Sequence, residues 1–460
     1  MSADCSKGPA GSDGVPTGET VMPHERPTIC ILALSAIADD PRVRRQAEAF
    51  HRAGWDVTAV GLPGARSGAP EWRILTGEDL PQPPLEAIGC GATLFPGLRH
   101  LFWPKALRTI GGLAYRLPRM IVRGRVRYAL RLLAVRWRPE LAQEIYWSFS
   151  ENIRCIYDCA SQITAAVWLA NDWTMLPLAT RLAREKGGLY CYDTHEFAAE
   201  EYGDNRKWRL WHRPMVCAIE REFINRAAVV SAVSAGIAER LGKLYRLPKA
   251  ATVIRNTPYF EPTTFRPTAP GHIRVLYHGI VTPGRGLEAT IDSVADWRPQ
   301  FNLTIRGPGG SDYLDALRRR IAERGLSNRI SLVPPVPMTE LVREAAAYDI
   351  GFFALPGSSR HNEFALPNKF FEYVMAGLAL CLTDLPEMAR LVRAYRLGVT
   401  FRSVDPQSIA GAINALDPAS IDRFKRNALE AARELCWERE AERLVSAYRA
   451  LLGSAMPQAA

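Results

Sequence analysis

The feature that most constrains this chain is an alternation of short apolar runs with amphipathic helical stretches. It occurs twice, with a Pro-rich break between the two runs. Residues 28–35, TICILALS, form a nearly continuous apolar run of the kind found in a parallel sheet covered on both faces. A helix over 43–53 follows, with Pro41 near its start and Gly54 past its end, and then a strand at 56–60. The rhythm returns with strands at 165–170, 189–193, 228–233 and 252–254, separated by helices ending at Lys186 and spanning 215–227 and 235–244. It begins afresh at Arg274. Strands at 274–278, 301–306, 330–333, 350–354 and 378–383 alternate with helices at 287–297, 312–324, 339–347, from Asn368 to Gly377, and 386–395, and a helical tail covers 408–452. Asn256-Thr-Pro258 and the Pro/Thr-rich 261–271 read as a linker. Two such runs imply an α/β architecture of two facing, doubly wound Rossmann-like domains, with ligands held beyond the carboxyl ends of the strands, in the cleft.

The expected boundaries are a disordered tail at 1–26, a first domain at 27–265, a second at 271–430, and a terminal helix within 431–460 packing back on the first domain. Residues 67–140 read as an insertion of two or three helices outside the sheet. The insertion carries the charge anomaly. The net charge is +10, and 99–138 alone holds eleven Lys and Arg with no Asp or Glu. Leu101-Phe-Trp103, Tyr115 and Met120-Ile-Val122 interleave with those cations, a pattern suited to the headgroup region of an anionic bilayer. The expected partner is therefore an anionic membrane surface touched through Arg99 to Arg138, on a cytoplasmic protein peripheral to the inner face. The plain alternative is a helical insertion with a solvated cationic face. Charge confined to one segment argues against nucleic acid as a partner. No run approaches 18 apolar residues, the first 26 residues lack the apolar core of a signal peptide, and the nine cysteines contain no C-x-x-C pair. Free thiols in a reducing compartment, no zinc and no membrane span are the expectation.

The chemistry concentrates around one short helix. Pro367 disfavours helical geometry at Leu366, and Asn368 is placed to cap the first turn. Lys369 in that turn opposes the macrodipole unless an anion sits there too. At helical spacing Lys369, Glu372, Tyr373 and Ala376 share one face and Phe370, Phe371, Val374 and Met375 the other. One turn thus offers an ammonium, free N–H donors and a carboxylate, which suits a diphosphate on the N-terminus and a ribose diol on Glu372. A solvated Lys369–Glu372 pair at i,i+3 is the alternative. Gly279 and the turn Pro283-Gly284-Arg285-Gly286 follow the first strand of the second run, and Gly307-Pro308-Gly309 closes the next. The first reads as a phosphate-cradling turn or a plain loop, and the second as a close backbone approach to a ligand or merely a tight turn. Asp172 and Asp193 read as caps or inter-domain structure rather than as acids or bases.

In order along the chain, Asp40-Pro-Arg-Val43, Asn171-Asp172, Asp193-Thr-His-Glu196, Val233-Ser-Ala235, Arg255-Asn256, Tyr277-His-Gly279, Pro283-Gly-Arg-Gly-Leu287 and Ala365-Leu-Pro-Asn-Lys-Phe-Phe-Glu-Tyr373 appear. With this set the chain resembles the retaining glycosyltransferases of the GT-B fold, family 4. The resemblance runs from about residue 28 to the C-terminal helix. It implies that Glu372 holds the ribose of a nucleotide-sugar, that Arg285 and Lys369 hold its diphosphate, and that His195 lies near the transferred sugar. The donor-binding set is then Gly279, Arg285, Gly307, Asn368, Lys369 and Glu372, and the catalytic set His195, Arg285, Lys369 and Glu363. Two positions depart from the family pattern. Phe364 stands where a second glutamate is usual, with Glu363 one residue earlier, and Ile280 stands where an arginine often follows the glycine.

The resemblance implies transfer of a sugar, with retention, from a nucleotide-diphosphate sugar to a lipid-linked or polysaccharide acceptor. Two cations and a helix N-terminus can stabilise the departing diphosphate, and the sequence has no Asp-x-Asp, so neither a metal nor another cofactor is expected. The alternatives are a nucleotide-sugar epimerase of the same fold and a catalytically silent nucleotide-sugar-binding protein.

Overall fold

The computed structural model describes residues 26–64, 70–77, 119–148, 150–357 and 359–455. The tail expected at 1–26 and the basic stretch from Arg99 to residue 118 lie outside these, apart from residue 26 itself. The first sheet contains β1 (Thr28–Ala36), β2 (Asp56–Leu62), β3 (Arg73–Thr76), β4 (Val167–Asn171), β5 (Leu189–Thr194), β6 (Val230–Ala232) and β7 (Thr252–Val253). The second contains β8 (Ile273–His278), β9 (Phe301–Arg306), β10 (Ile330–Val333), β11 (Ile350–Phe353), β12 (Ala379–Thr383) and β13 (Gly398–Phe401). Their orders are β3-β2-β1-β4-β5-β6-β7 and β10-β9-β8-β11-β12-β13. Every pairing is parallel. The chain order reverses between β1 and β4 in one sheet and between β8 and β11 in the other, so a crevice opens at each reversal.

Two parts of the sheets depart from expectation. Part of the stretch read as a helical insertion, Arg73–Thr76, is instead an edge strand pairing with β2. Four residues are too few to show a period, and an edge strand needs only one partner. Downstream, Arg119–Ala134 is a helix. The second departure is β13, a four-residue edge strand after the left-handed Arg396. The helical tail is three helices, Pro406–Asn414, Pro418–Ala431 and Trp437–Ala455. Asp405 and Asp417 cap the first and second of these, each with proline in the first turn, so the tail's start and its first break are local capping events.

Both faces of the first sheet are covered. One face carries Trp168, Tyr192, Ile219 and their neighbours; the other packs Ile31, Phe50 and Leu169 against the last helix. That helix lies on Pro41–Arg52: the Tyr448 ring meets Phe50 edge-on at 4.9 Å, and Arg449 donates to the Ala53 carbonyl. Its first turn also grips the linker. Trp437 N–H donates to Pro258 O at 2.7 Å, while the buried Glu440 accepts from both the backbone and the guanidinium of Arg255. Leading out of the second domain and back to the first, the helix ties the two halves together at the hinge.

Candidate active site

Asp40 starts the first-domain wall. Its carboxylate accepts from the N–H groups of Arg42 and Val43, fixing the helix that carries Arg42. Arg42 is buried, and its guanidinium forks onto Asp193 at the end of β5, Nε to Oδ2 at 2.7 Å and Nη2 to Oδ1 at 2.6 Å. Gln46 and Ser231 also donate to Asp193. Burial raises the carboxyl's pKa, but Arg42 outweighs it and holds Asp193 far below the usual carboxylate range. Asp193 is therefore a structural anion, binding groups within the first domain and neither capping a helix nor bridging the domains. Asp172 is not a helix cap: it occupies a left-handed turn at φ 65° after β4, and its Oδ1 accepts from the backbone N–H of His195.

His195 sits among these groups. Nε2 lies 2.7 Å from Asn171 Oδ1 and 3.4 Å from Asp193 Oδ2, and Nδ1 lies 3.5 Å from Asp172 Oδ2. Burial opposes protonation, yet the Asp172 and Asp193 charges overcome it and push the imidazole up to about 9. At neutral pH the ring is a cation with both nitrogens protonated, a donor with no lone pair to act as base. Glu196, next in the chain, is 47% open to the cleft and reaches 3.5 Å from His361 Nε2 of the second domain.

On the second-domain wall, Lys369 stands in the first turn of Asn368–Met375. Its Nζ lies 4.0 Å from the Phe353 ring centre and 4.4 Å from that of Tyr277, and it makes no i,i+3 ion pair with Glu372. The aromatic cradle holds it over Gly279: a Cβ there would come within 2.9 Å of Nζ, and the φ of +119° itself favours glycine. Gly307 backs Gly279 in turn, since a Cβ on it would meet the Gly279 carbonyl oxygen at 1.9 Å. Burial and the Arg285 charge bring the Lys369 ammonium down to about 7, with Glu372 pulling the other way. Arg285 is half-buried in its turn and makes no hydrogen bond or ion pair within the described residues. Glu372 lies 2.9 Å from His278 Nε2, a close charge contact without hydrogen-bond alignment; burial raises the carboxyl, but His278 and Lys369 bring it below its ordinary value. From the opposite wall Arg45 adds a favourable charge to Glu372.

Thus Arg285 and Glu372 both act electrostatically on Lys369, in opposite senses, and Arg285 also acts on Glu196 and His361. Asn368 does not cap its helix; Pro367 occupies the cap position and Asn368 is the first helical residue. Tyr373 turns inward rather than sharing the Lys369 face, because Gly351 on β11 leaves room for its ring. Its hydroxyl then accepts from His278 N–H and donates to Phe352 O. Glu363 lies in the short helix Arg360–Phe364, half-buried, with no ion pair in this cluster. Phe364 packs into the first domain: its ring sits 4.9 Å from the Arg240 guanidinium, its carbonyl accepts from Ser234 Oγ, and Gly236 is bare where a Cβ would strike it at 2.5 Å. Ile280 is 51% exposed. Sequence reasoning assigned no role to Arg42, Asn171, Glu196, His278 or His361. An arginine directly after the proline that opens a helix and a histidine ending a strand were the available signals.

Two family models match the chain, one described as a glycosyl transferase 4-like domain over residues 40–257 and one as glycosyl transferases group 1 over 272–416. Among curated proteins, a D-inositol 3-phosphate glycosyltransferase of Nocardia farcinica is 29% identical over 195 residues, 40% of this chain and 42% of that protein. The GDP-mannose:cellobiosyl-diphosphopolyprenol alpha-mannosyltransferase of Xanthomonas campestris is 28% identical over 198 residues, 42% of this chain and 50% of that one. The chain thus spans about half the length of the curated relatives it matches. Of solved structures, the sucrose-phosphate synthase of Thermosynechococcus elongatus superposes with a TM-score of 0.66 at 15% identity, over 93% of this chain and 100% of that one. The Anabaena protein Alr3699/HepE in complex with UDP-glucose gives 0.61 at 14%, over 92% and 99%.

Proposed function

Because this chain belongs to the family 4, group 1 glycosyltransferases and has their GT-B fold, we propose that it transfers a sugar, with retention, from a nucleotide-diphosphate donor to a lipid-linked or polysaccharide acceptor. One observation supports the donor assignment: Lys369 is held by the Phe353 and Tyr277 rings instead of a carboxylate, with the Arg285 and Glu372 charges both acting on it. The Anabaena structures with UDP and UDP-glucose, and the diphosphopolyprenol in the name of the Xanthomonas relative, support a nucleotide-sugar donor and a lipid-linked acceptor.

In this reading the diphosphate lies on Arg285, Lys369 and the N–H groups opening the Asn368 helix, and the ribose diol on Glu372. The bond from the anomeric carbon to the diphosphate oxygen breaks as the acceptor oxygen approaches on the same face and bonds to that carbon. The acceptor's proton passes to the departing phosphate oxygen. Arg285 and Lys369 stabilise the charge that develops there, so no metal is needed. The His195 cation, its two ring N–H groups facing Asn171 and Asp172, places a positive charge beside the sugar. The enzyme works in the cytoplasm on the inner membrane face.

Incubation with a panel of nucleotide-sugars tests this. Slow hydrolysis to free sugar and nucleotide, insensitive to a chelator and abolished by Glu372→Ala or Lys369→Ala, is expected. Epimerised donor, or donor bound unchanged, would replace transfer by one of the alternatives. NMR of the transferred product reads the anomeric configuration, and inversion would remove the same-face step.

A further inference from the structure

The exposed large apolar side chains of the described residues are unevenly placed. Of the eight exposed by more than about a third, Leu130, Trp137, Tyr202 and Leu210 fall in two segments, 127–140 and 202–211, that are distant in sequence. The helix Arg119–Ala134 touches the helix Arg206–Trp211, and Arg136 just beyond the first donates to the carbonyl of Leu210 at 3.4 Å. Trp137 is the most exposed of the set at 77%. Those two segments hold seven Lys and Arg against the carboxylates Glu140 and Asp204. Arg127, Arg138, Arg206 and Arg209 are all exposed.

We propose that this composite face, Leu130, Trp137 and Leu210 set among Arg127, Arg138, Arg206 and Arg209, is the surface by which the protein lies on an anionic phospholipid bilayer. It rests on the membrane reading above and moves its centre to the Arg206–Trp211 helix, outside the basic segment. Tryptophan and leucine tips enter the headgroup boundary while arginines pair with lipid phosphates at the same depth. A protein partner would bury such tips in a matched apolar pocket, and charges so closely interspersed would be stranded there. The position fits an acceptor arriving from the bilayer. Only residues 197–205 separate Glu196 at the cleft from Arg206, and Arg213 pins that connection by donating to Ala199 O and Glu200.

Co-sedimentation with vesicles of phosphatidylglycerol and phosphatidylcholine, with pure phosphatidylcholine and a DNA duplex as parallel arms, decides the matter. Wild-type protein should bind the anionic vesicles, and binding should fall steeply with added salt. The triple change Leu130→Ser, Trp137→Ser, Leu210→Ser should weaken it at least tenfold, and Arg206→Glu with Arg209→Glu by about fivefold per cation. Both sets are surface changes and should leave donor hydrolysis intact, which also reports folding. If wild type binds and both variants bind equally well, this face is wrong while membrane association stands. No vesicle binding at low salt, or tight binding to the duplex only, overturns the proposal.

Discussion

The ammonium of Lys369 makes donor affinity pH-dependent in a calculable way. With no ligand present, burial beside Arg285 brings it down to about 7, so roughly half the molecules carry a neutral amine at pH 7. A bound pyrophosphate restores the ordinary value, so binding takes up a proton whenever the free site has lost one. The sign follows: affinity is full below pH 6 and falls as pH rises through 7. The protonated fraction drops from roughly 0.9 at pH 6 to about 0.03 at pH 8.5. The dissociation constant should therefore rise roughly 30-fold, about 2 kcal/mol. Calorimetry with the tightest-binding nucleotide-sugar, in buffers of different ionisation enthalpy, should show an uptake of about half a proton at pH 7 and about 0.9 at pH 8. Glu196, raised by partial burial and by the Asp172 and Glu201 charges, loses a proton in the same direction. Lys369→Arg separates the two, because a guanidinium stays charged throughout and should flatten most of the profile. A constant that changes less than threefold between pH 6 and 8.5, or an unaltered slope in Lys369→Arg, refutes the assignment of this cation to the diphosphate.

Three further outcomes follow from the packing. Arg42→Ala leaves Asp193 charged and buried without its fork, which should cost about 3–5 kcal/mol and lower the melting temperature by roughly 10 °C; Arg42→Met with Asp193→Asn should recover part of the loss. Gly307→Ala would drive a Cβ to 1.9 Å from the Gly279 carbonyl oxygen. Calorimetric titration should show donor affinity reduced at least tenfold, with a stability loss of about 1–3 kcal/mol by urea denaturation. Phe364→Ala removes the ring from Arg240 and Gly236 and should loosen the contact between domains by about 1–2 kcal/mol, less than for a fully buried phenylalanine. Small-angle scattering should then report a more open molecule, while the donor constant stays within about twofold.

What the sequence determined by itself was local or periodic. Unbroken apolar runs spaced by amphipathic helices require parallel sheets covered on both faces, and a proline-rich break between two such series requires two domains. The place of Lys369 and Glu372 on one turn follows from helical spacing. The short edge strands β3 and β13 escaped because they are too brief to carry a period. Tertiary structure alone decided the pairings across chain distance. Arg42 meets Asp193 151 residues away, His278 reaches Glu372, His361 faces Glu196, and Phe364 packs on Arg240 of the first domain. Tyr373 turned inward because a glycine on the neighbouring strand made space. Such contacts depend on strand register and on how two domains dock. Register and docking are set by the summed packing of the whole molecule, which no single stretch of sequence encodes.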